Sequence, residues 1–309
     1  MKKILSIDGG GIRGLIPALV LAEIENRTGK SISKMFDLIA GTSTGGILAL
    51  ALCKDNGKGK PKFTAAELVE VYSQRGKEFF NRTISKAILS LNSIISEKYA
   101  AKSIEKVLEE IFEMDKLGSS LADVLISSYD IQNREPLFFK SWKKEMAGVL
   151  MKHAARATTA APSFFRPALI PVDKGIRVLV DGGVFANNPV VSAYAEFKRR
   201  FPKEKNVLVL SLGTGQTRTI PYNEAKKWGT LGWALPLLSC IFDGVSDAAE
   251  YQMTYILGEN FYRLQTMLTS ASDDLDDVSK KNIAALEEEG AKLINSSKPE
   301  LDKICRLIS

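Results

Sequence analysis

The stretch that most constrains the fold is residues 36–53, FDLIAGTSTGGILALALC. Residues 36–40 form a short apolar run that reads as a buried strand. The run breaks at Gly41-Thr42-Ser43-Thr44-Gly45-Gly46, and small apolar residues from Ile47 to Leu52 continue as a helix. G-x-S-x-G between a strand and a helix is the context of a nucleophile elbow, a sharp turn with serine at its tip. Gly41 and Gly45 lack a Cβ, so strand and helix can approach closely. Ser43 would then sit at a helix N-terminus, whose partial positive charge favours a developing anion. A Gly/Ser-rich turn without chemistry has the same five letters; only the flanking strand and helix patterns weigh against it.

The same plan occurs once upstream. Residues 3–7 read as a first buried strand and run into Asp8-Gly9-Gly10-Gly11-Ile12-Arg13-Gly14, followed by LIPALVLAEI with helical spacing and Gly29 as a C-cap. Strand, glycine loop and helix in repetition predict an α/β fold with parallel strands joined by right-handed crossovers. Further strands are expected at 124–129, 176–180, 207–212 and 261–264, and an edge strand at 136–142. Thr64-Ala65-Ala66-Glu67 is a capping box that opens a helix. Helices are also expected at 103–113, at 147–161 up to Pro162, and from Pro189 onward. Pro236 should break the apolar run 231–242, residues 273–277 form an acidic loop, and 278–308 is helical with a break at 296–299. Residues 83–97 fit no single pattern. No linker divides the chain, so one domain over 1–309 is expected, with its motifs in about 3–265.

Composition narrows the function classes. Hydrophobic content of 45% and charged content of 25% are those of an ordinary globular protein. A net charge of +6 without a basic block argues against a nucleic-acid polymer as partner and supports only weak attraction to anionic surfaces. The N-terminal apolar run is too short for a signal peptide, and no stretch approaches the ~18 apolar residues of a membrane span. Cys53, Cys240 and Cys305 are scattered, without a CxxC pair, which reads as reduced thiols in a cytoplasmic setting.

The glycine loop has two readings. Gly9-x-Gly11-x-x-Gly14 matches the dinucleotide fingerprint, but the second strand lacks the acidic end that a Rossmann domain requires. Its alternative use is as an oxyanion hole, with backbone N–H groups of Gly9, Gly10 and Gly11 facing a tetrahedral acyl intermediate and Arg13 adding positive charge. Arg13 could equally pair with a carboxylate at the helix start. A nucleophilic serine needs a base, and His153, the chain's one histidine, lies out of order for a hydrolase triad in an alanine-rich helix. A carboxylate acting directly on the serine is then required. Asp181 ends a β-branched strand, IRVLV, before Gly182-Gly183, which in a parallel sheet puts it on the ligand-binding carboxyl rim with Ser43. Asp8 and Asp37 compete by position, Asp8 as a brace for the loop's N–H groups and Asp37 as a structural residue of the elbow strand.

Together these motifs resemble the patatin-like phospholipase family. The matching stretches are DGGGIRG at 8–14, GTSTG at 41–45 and DGG at 181–183, supported by ARATTAAP at 155–162, VFANNP at 184–189 and LSLGTG at 210–215. The resemblance spans about 3–265 and implies a three-layer α/β/α fold with a central mostly parallel sheet. It further implies lipid acyl hydrolysis by a Ser43–Asp181 dyad with no metal or cofactor, and an oxyanion site at Gly9–Gly11 with Arg13. Gly14, Gly41, Gly45, Gly182 and Gly183 complete the motifs. The expected partners are a phospholipid or other acyl lipid and a peripheral membrane surface, the inner face for a cytoplasmic protein. Trp228, Leu231, Trp233, Leu235, Leu237 and Leu238 could form an apolar lip, helped by Lys54, Lys58, Lys60 and Lys62, but the reading of the apolar set as core and the lysines as a solvated loop is preferred. The family's bacterial effectors, similar in their compact size, add a cyclic nucleotide as candidate activator, although no residue here marks a pocket for one. The contrasting classes are a dinucleotide binder using Gly9–Gly14 and an idle storage or interaction protein.

Overall fold

The computed structural model describes residues 1–79, 93–173, 175–216 and 220–309. Its centre is an eight-stranded sheet: β1 Lys2–Ile7, β2 Leu38–Gly41, β3 Asp123–Asp130, β4 Glu135–Lys140, β5 Ala168–Val172, β6 Gly175–Asp181, β7 Val207–Leu212 and β8 Phe261–Leu264. The order is β5-β6-β3-β2-β1-β7-β8, with β4 also paired to β3. From β3 to β8 the neighbours run parallel, as the repeated strand–loop–helix plan predicts. The central strands are apolar on both faces, and every residue of VLVLSL in β7 is buried.

Alternation along the strands divides the interior into two cores. Leu5, Ile7, Ile39, Val124, Ile126, Leu208 and Leu210 face one side, with helices α1 Leu15–Thr28, α2 Thr44–Cys53, α3 Ala65–Phe79, α4 Ser93–Phe112 and α5 Met151–Thr158 over them. Ile4, Leu38, Ala40, Leu125, Val207 and Val209 face the other side, against α6 Val190–Arg200 and α7 Thr230–Leu257. Helix, sheet and helix form the expected three layers. The last helices, α8 Lys280–Ser296 and α9 Lys298–Ile308, return to α1 and place Leu286, Leu301 and Ile304 in the larger core. At about 1.5–3 kcal/mol for each fully buried side chain, they are integral to that core rather than an appendage.

Several local expectations meet their physical cause. The capping box is complete: the Thr64 N–H donates to Glu67 Oε2 at 2.8 Å and the Glu67 N–H to Thr64 Oγ1 at 3.2 Å. Gly29 ends α1 in the left-handed conformation, φ 65°. The alanine-rich helix is shorter than predicted. Residues 115–117 take the backbone groups of Val149 and Met151, through Leu117 N–H to Val149 O and Met151 N–H to Asp115 O, so α5 begins only at Met151. Pro236 does not break α7, because it sits in the second turn and removes one donor from a 28-residue helix. The unassigned residues 83–92 lie outside the described residues.

The largest departure concerns β6. It does not join the parallel set but runs antiparallel to β3, as the second arm of a hairpin with β5. β4 occupies one edge of β3 over residues 125–130, leaving β2 and β6 to share the other. β2 ends with Gly41 opposite Ile126, and β6 arrives from the opposite direction and ends with Asp181 opposite Ser128. The carboxyl ends of two opposed strands therefore meet along β3.

Candidate active site

That meeting of strand ends builds the site. β2 turns into α2 through Ser43, a non-glycine residue held at φ 53° and ψ −123°. Such backbone strain costs on the order of 1–3 kcal/mol and persists only where the surroundings enforce it. The enforcement is visible. A Cβ on Gly45 would meet the Ile7 carbonyl oxygen of β1 at 2.2 Å, so only glycine lets α2 start this close to the sheet. The Ser43 N–H donates to Thr158 Oγ1 at 2.8 Å, and Thr44 Oγ1 hydrogen-bonds the buried Tyr72 hydroxyl. Thr42 Oγ1 donates to the Ala186 carbonyl at 2.6 Å. The elbow is held from α5, α3 and the segment after β6.

Asp181 is fully buried. Its backbone N–H donates to the Ala160 carbonyl at 3.0 Å, and its Oδ1 accepts the Gly183 N–H at 2.8 Å. Oδ2 is buried and has no aligned hydrogen-bond partner. Besides the Gly183 N–H, the Ser43 hydroxyl favours the ionised form of the carboxyl. Burial pushes the Asp181 carboxyl up to about 7, against the smaller opposing effects of the Gly183 N–H and the Ser43 hydroxyl. Ser43 and Asp181 line one narrow cavity of about 30 Å³, walled by Phe164, Phe165, Phe242 and Leu275.

The glycine loop completes the surroundings. Gly9 packs on the serine, and a Cβ there would lie 3.2 Å from Ser43 Cβ. Its N–H is already donated to the Asn187 carbonyl at 3.0 Å, so Gly9 is not a free donor as expected. The N–H groups of Gly10 and Gly11 have no acceptor among the described residues. Gly11 adopts φ +58°, and a Cβ on it would fall 2.1 Å from the Leu275 carbonyl oxygen, which also accepts the Ile12 N–H at 2.9 Å. The space that a dinucleotide pyrophosphate would need beside Gly11 is thus filled by the chain itself. Arg13, also buried, donates to the Gly10 and Gly215 carbonyls at 3.4 and 3.3 Å and braces the loop, instead of pairing with a carboxylate at the helix start.

The competing carboxylates take other roles. Asp8 does not brace the loop's N–H groups. Both its oxygens are taken by Arg263 of β8, at 2.6 and 3.0 Å, which reaches across β7 past Ser211 Oγ. Burial pushes the Asp8 carboxyl up to about 6, while Arg263 pulls in the opposite direction. Asp37 lies just before β2 and accepts the Lys2 ammonium at 2.7 Å and the Lys3 N–H at 2.8 Å. His153 lines a different cleft and has no part in the Ser43 cavity.

Sequence reasoning missed the roles of Thr158, Asn187, Leu275 and Arg263. Thr158 and Asn187 fall inside the supporting stretches 155–162 and 184–189, which was their only signal. Among the lip residues, Trp233 is 40% and Leu237 49% exposed, whereas Leu238 is buried, and the side chains of Leu231 and Leu235 lie outside the described residues. Lys54 is no surface cation: it is buried and paired with Asp115 at 2.8 Å and Glu113 at 3.4 Å. Lys58, Lys60 and Lys62 are exposed. Among the described residues no helix is long and apolar enough to cross a membrane.

The architecture is that of a three-layer α/β/α protein with a strained serine elbow at the end of a central strand. The family model described as patatin-like phospholipase matches residues 5–194. The chain is 30% identical to Patatin-like protein 2 of Oryza sativa subsp. indica over 347 aligned positions, covering 98% of this chain and 86% of that one. Patatin-T5 of Solanum tuberosum is 32% identical over 338 positions, covering 96% and 84%. This chain belongs to the patatin-like phospholipase family, and lipid acyl hydrolysis is the class of activity that membership brings. Human GIVD cytosolic phospholipase A2, solved with methyl gamma-linolenyl fluorophosphonate, superposes with a TM-score of 0.51 at 11% identity over 99% of this chain and 58% of that one. At that identity the likeness concerns the fold alone.

Proposed function

We propose that the protein hydrolyses acyl esters of phospholipids, with Ser43 as nucleophile and Asp181 as its direct base. The observation that carries the reading is the buried Asp181 Oδ2, without an aligned partner, in the same narrow cavity as a serine held at φ 53°. In the first half-reaction the Ser43 hydroxyl loses its proton to Asp181 as Oγ bonds to the ester carbonyl carbon. The carbonyl oxygen becomes an oxyanion facing the free Gly10 and Gly11 N–H groups, each such donor supporting about 2.7–4 kcal/mol of the barrier reduction. Collapse expels the alcohol, which takes the proton from Asp181. Water then attacks the acyl-serine with Asp181 again as base, releasing the fatty acid. A carboxyl near 4 would be a weak base for a hydroxyl; burial that brings it to about 7 matches it to neutral conditions.

The cavity is narrow and walled by Phe164, Phe165 and Phe242, which would have to move apart to admit an acyl chain. Contact with a lipid surface through the exposed Trp233 and Leu237, next along α7 from Phe242, is the proposed trigger. The test is labelling with a serine-directed fluorophosphonate, followed by hydrolysis of phosphatidylcholine vesicles. Labelling at Ser43 and loss of hydrolysis in Ser43→Ala are expected; label on another residue, or full activity in Ser43→Ala, overturns the proposal.

A further inference from the structure

A cleft of about 530 Å³ lies between α4, α5 and the edge strand β5, and shares no lining residue with the Ser43 cavity. Its wall carries Lys152, His153, Arg156 and Arg166 against Glu105 and Glu109. Arg156 is only 6% exposed. Its Nε donates to Glu105 at 3.2 Å and its Nη2 to the Arg166 carbonyl at 3.2 Å, but Nη1 is buried and makes no hydrogen bond. The Arg166 side chain is exposed and forms no ion pair among the described residues. Two guanidiniums thus share one recess, and both burial and the charge of Arg166 lower the Arg156 pKa. Glu105 pairs with Arg156 and Glu109 with Lys152 at 2.6 Å; these carboxylates are 51% and 58% exposed, where water screens them.

A buried donor without an acceptor is a cost that folded proteins seldom carry without a function. Arg156 already meets Glu105 through Nε, so the free Nη1 and an Arg166 without an ion pair among the described residues leave this wall with excess positive charge, which an anionic acceptor fits best. Guanidinium forks match the geometry of phosphate oxygens, and the cleft is large enough for a phosphate with its substituent. We propose that this cleft binds a phosphoryl group, held by Arg156 and Arg166. Leu169, 68% exposed on the same wall, offers apolar contact to whatever the phosphate is attached to. The site is one helix from the catalytic elbow: Arg156 lies 6.0 Å over the ring of Phe165, which walls the Ser43 cavity, and α5 ends at Thr158, which holds the Ser43 N–H.

The shared chemistry can come from a free phosphate or an anionic lipid headgroup, and two measurements separate them. The full-length protein is titrated calorimetrically with inorganic phosphate. In a Ser43→Ala background, which leaves the lipid intact, it is titrated with phosphatidylcholine vesicles with and without phosphatidic acid. Saturable binding in either titration, weakened about tenfold or more by Arg166→Ala and unchanged by Lys58→Ala, supports the site. Binding to inorganic phosphate identifies a free phosphate as sufficient; binding to phosphatidic acid vesicles alone identifies a headgroup. Absence of binding in both titrations, or binding that Arg166→Ala leaves at the wild-type level, overturns it. Arg166 is exposed, so its variant tests the site without the folding penalty expected at Arg156, and neither titration reads hydrolysis, so the result is independent of the proposed function.

Discussion

Asp8 and Asp181 sit at the ends of β1 and β6, both buried and both followed by glycines, yet their surroundings differ in one respect. Asp8 faces the guanidinium of Arg263, which occupies both its oxygens. Asp181 faces no cation; one oxygen takes the Gly183 N–H and the other has no aligned partner. At Asp8 the guanidinium offsets part of the burial, leaving the carboxyl at about 6, and ties the strands together. An unmatched buried carboxyl resists ionisation and can exchange a proton near neutrality. Burial raises both carboxyls, and only Asp8 has a counter-charge that offsets it, which is why Asp181 is the proposed base.

The contrast is sharpest in activity. Ser43→Ala and Asp181→Asn are each expected to lower kcat for phospholipid hydrolysis on the order of 10⁴-fold, while Asp8→Asn stays within about tenfold of wild type. A loss in Asp8→Asn equal to that in Asp181→Asn would erase the distinction. Stability should show the reverse pattern. Arg263→Met strands the buried Asp8 carboxylate and is expected to cost about 3–5 kcal/mol in urea denaturation. The double variant Asp8→Asn/Arg263→Met should be less damaging than the sum of the two singles, because the strand-tying pair is then removed as a unit.

Next in size is the pH dependence. As the proposed base, Asp181 would have to be ionised to accept the serine proton, so kcat/KM should fall about tenfold per pH unit below about 7 and level off above it. The sign for stability is opposite to that of a salt-bridged aspartate. Its folded pKa lies above the unfolded value near 4, so between the two the folded state binds more protons. This contribution to stability is therefore lost as pH rises from about 4 to about 7. Asp181→Asn should flatten that part of the slope in denaturation experiments run across this range. The smallest effect is expected at Thr158→Val, which keeps the side-chain shape but leaves the Ser43 N–H without its acceptor. A cost of about 1–3 kcal/mol, read mainly in kcat, would place Thr158 as a positioning residue of the elbow.

The elbow, the glycine loop and the parallel core were legible because each is local. Strand, turn and helix in residues 36–53 lie within one stretch, and Gly45 and Gly41 announce the close approach before any partner is known. The same holds for the capping box at Thr64 and Glu67, complete within four residues. The direction of β6 was not legible. IRVLV reads alike in a parallel or an antiparallel sheet, since strand propensity and burial carry no arrow; the hairpin with β5 decides it. Which donors of the glycine loop stay free depended on Asn187, and the fate of Asp8 on Arg263, 255 residues away.

By itself, then, the sequence determined the serine on its turn, the carboxylate before two glycines, and the alternation of strand and helix that makes an α/β fold. The pairing of Ser43 with Asp181 was also an expectation from the sequence; the tertiary structure supplied the route by which the two reach one cavity. β2 and β6 run in opposite directions and end two residues apart along β3, so a contact distant in sequence follows from a shared edge of one strand. The structure alone also separated the two buried aspartates, because a counter-charge arrives through space and leaves no mark in the neighbouring residues of the chain.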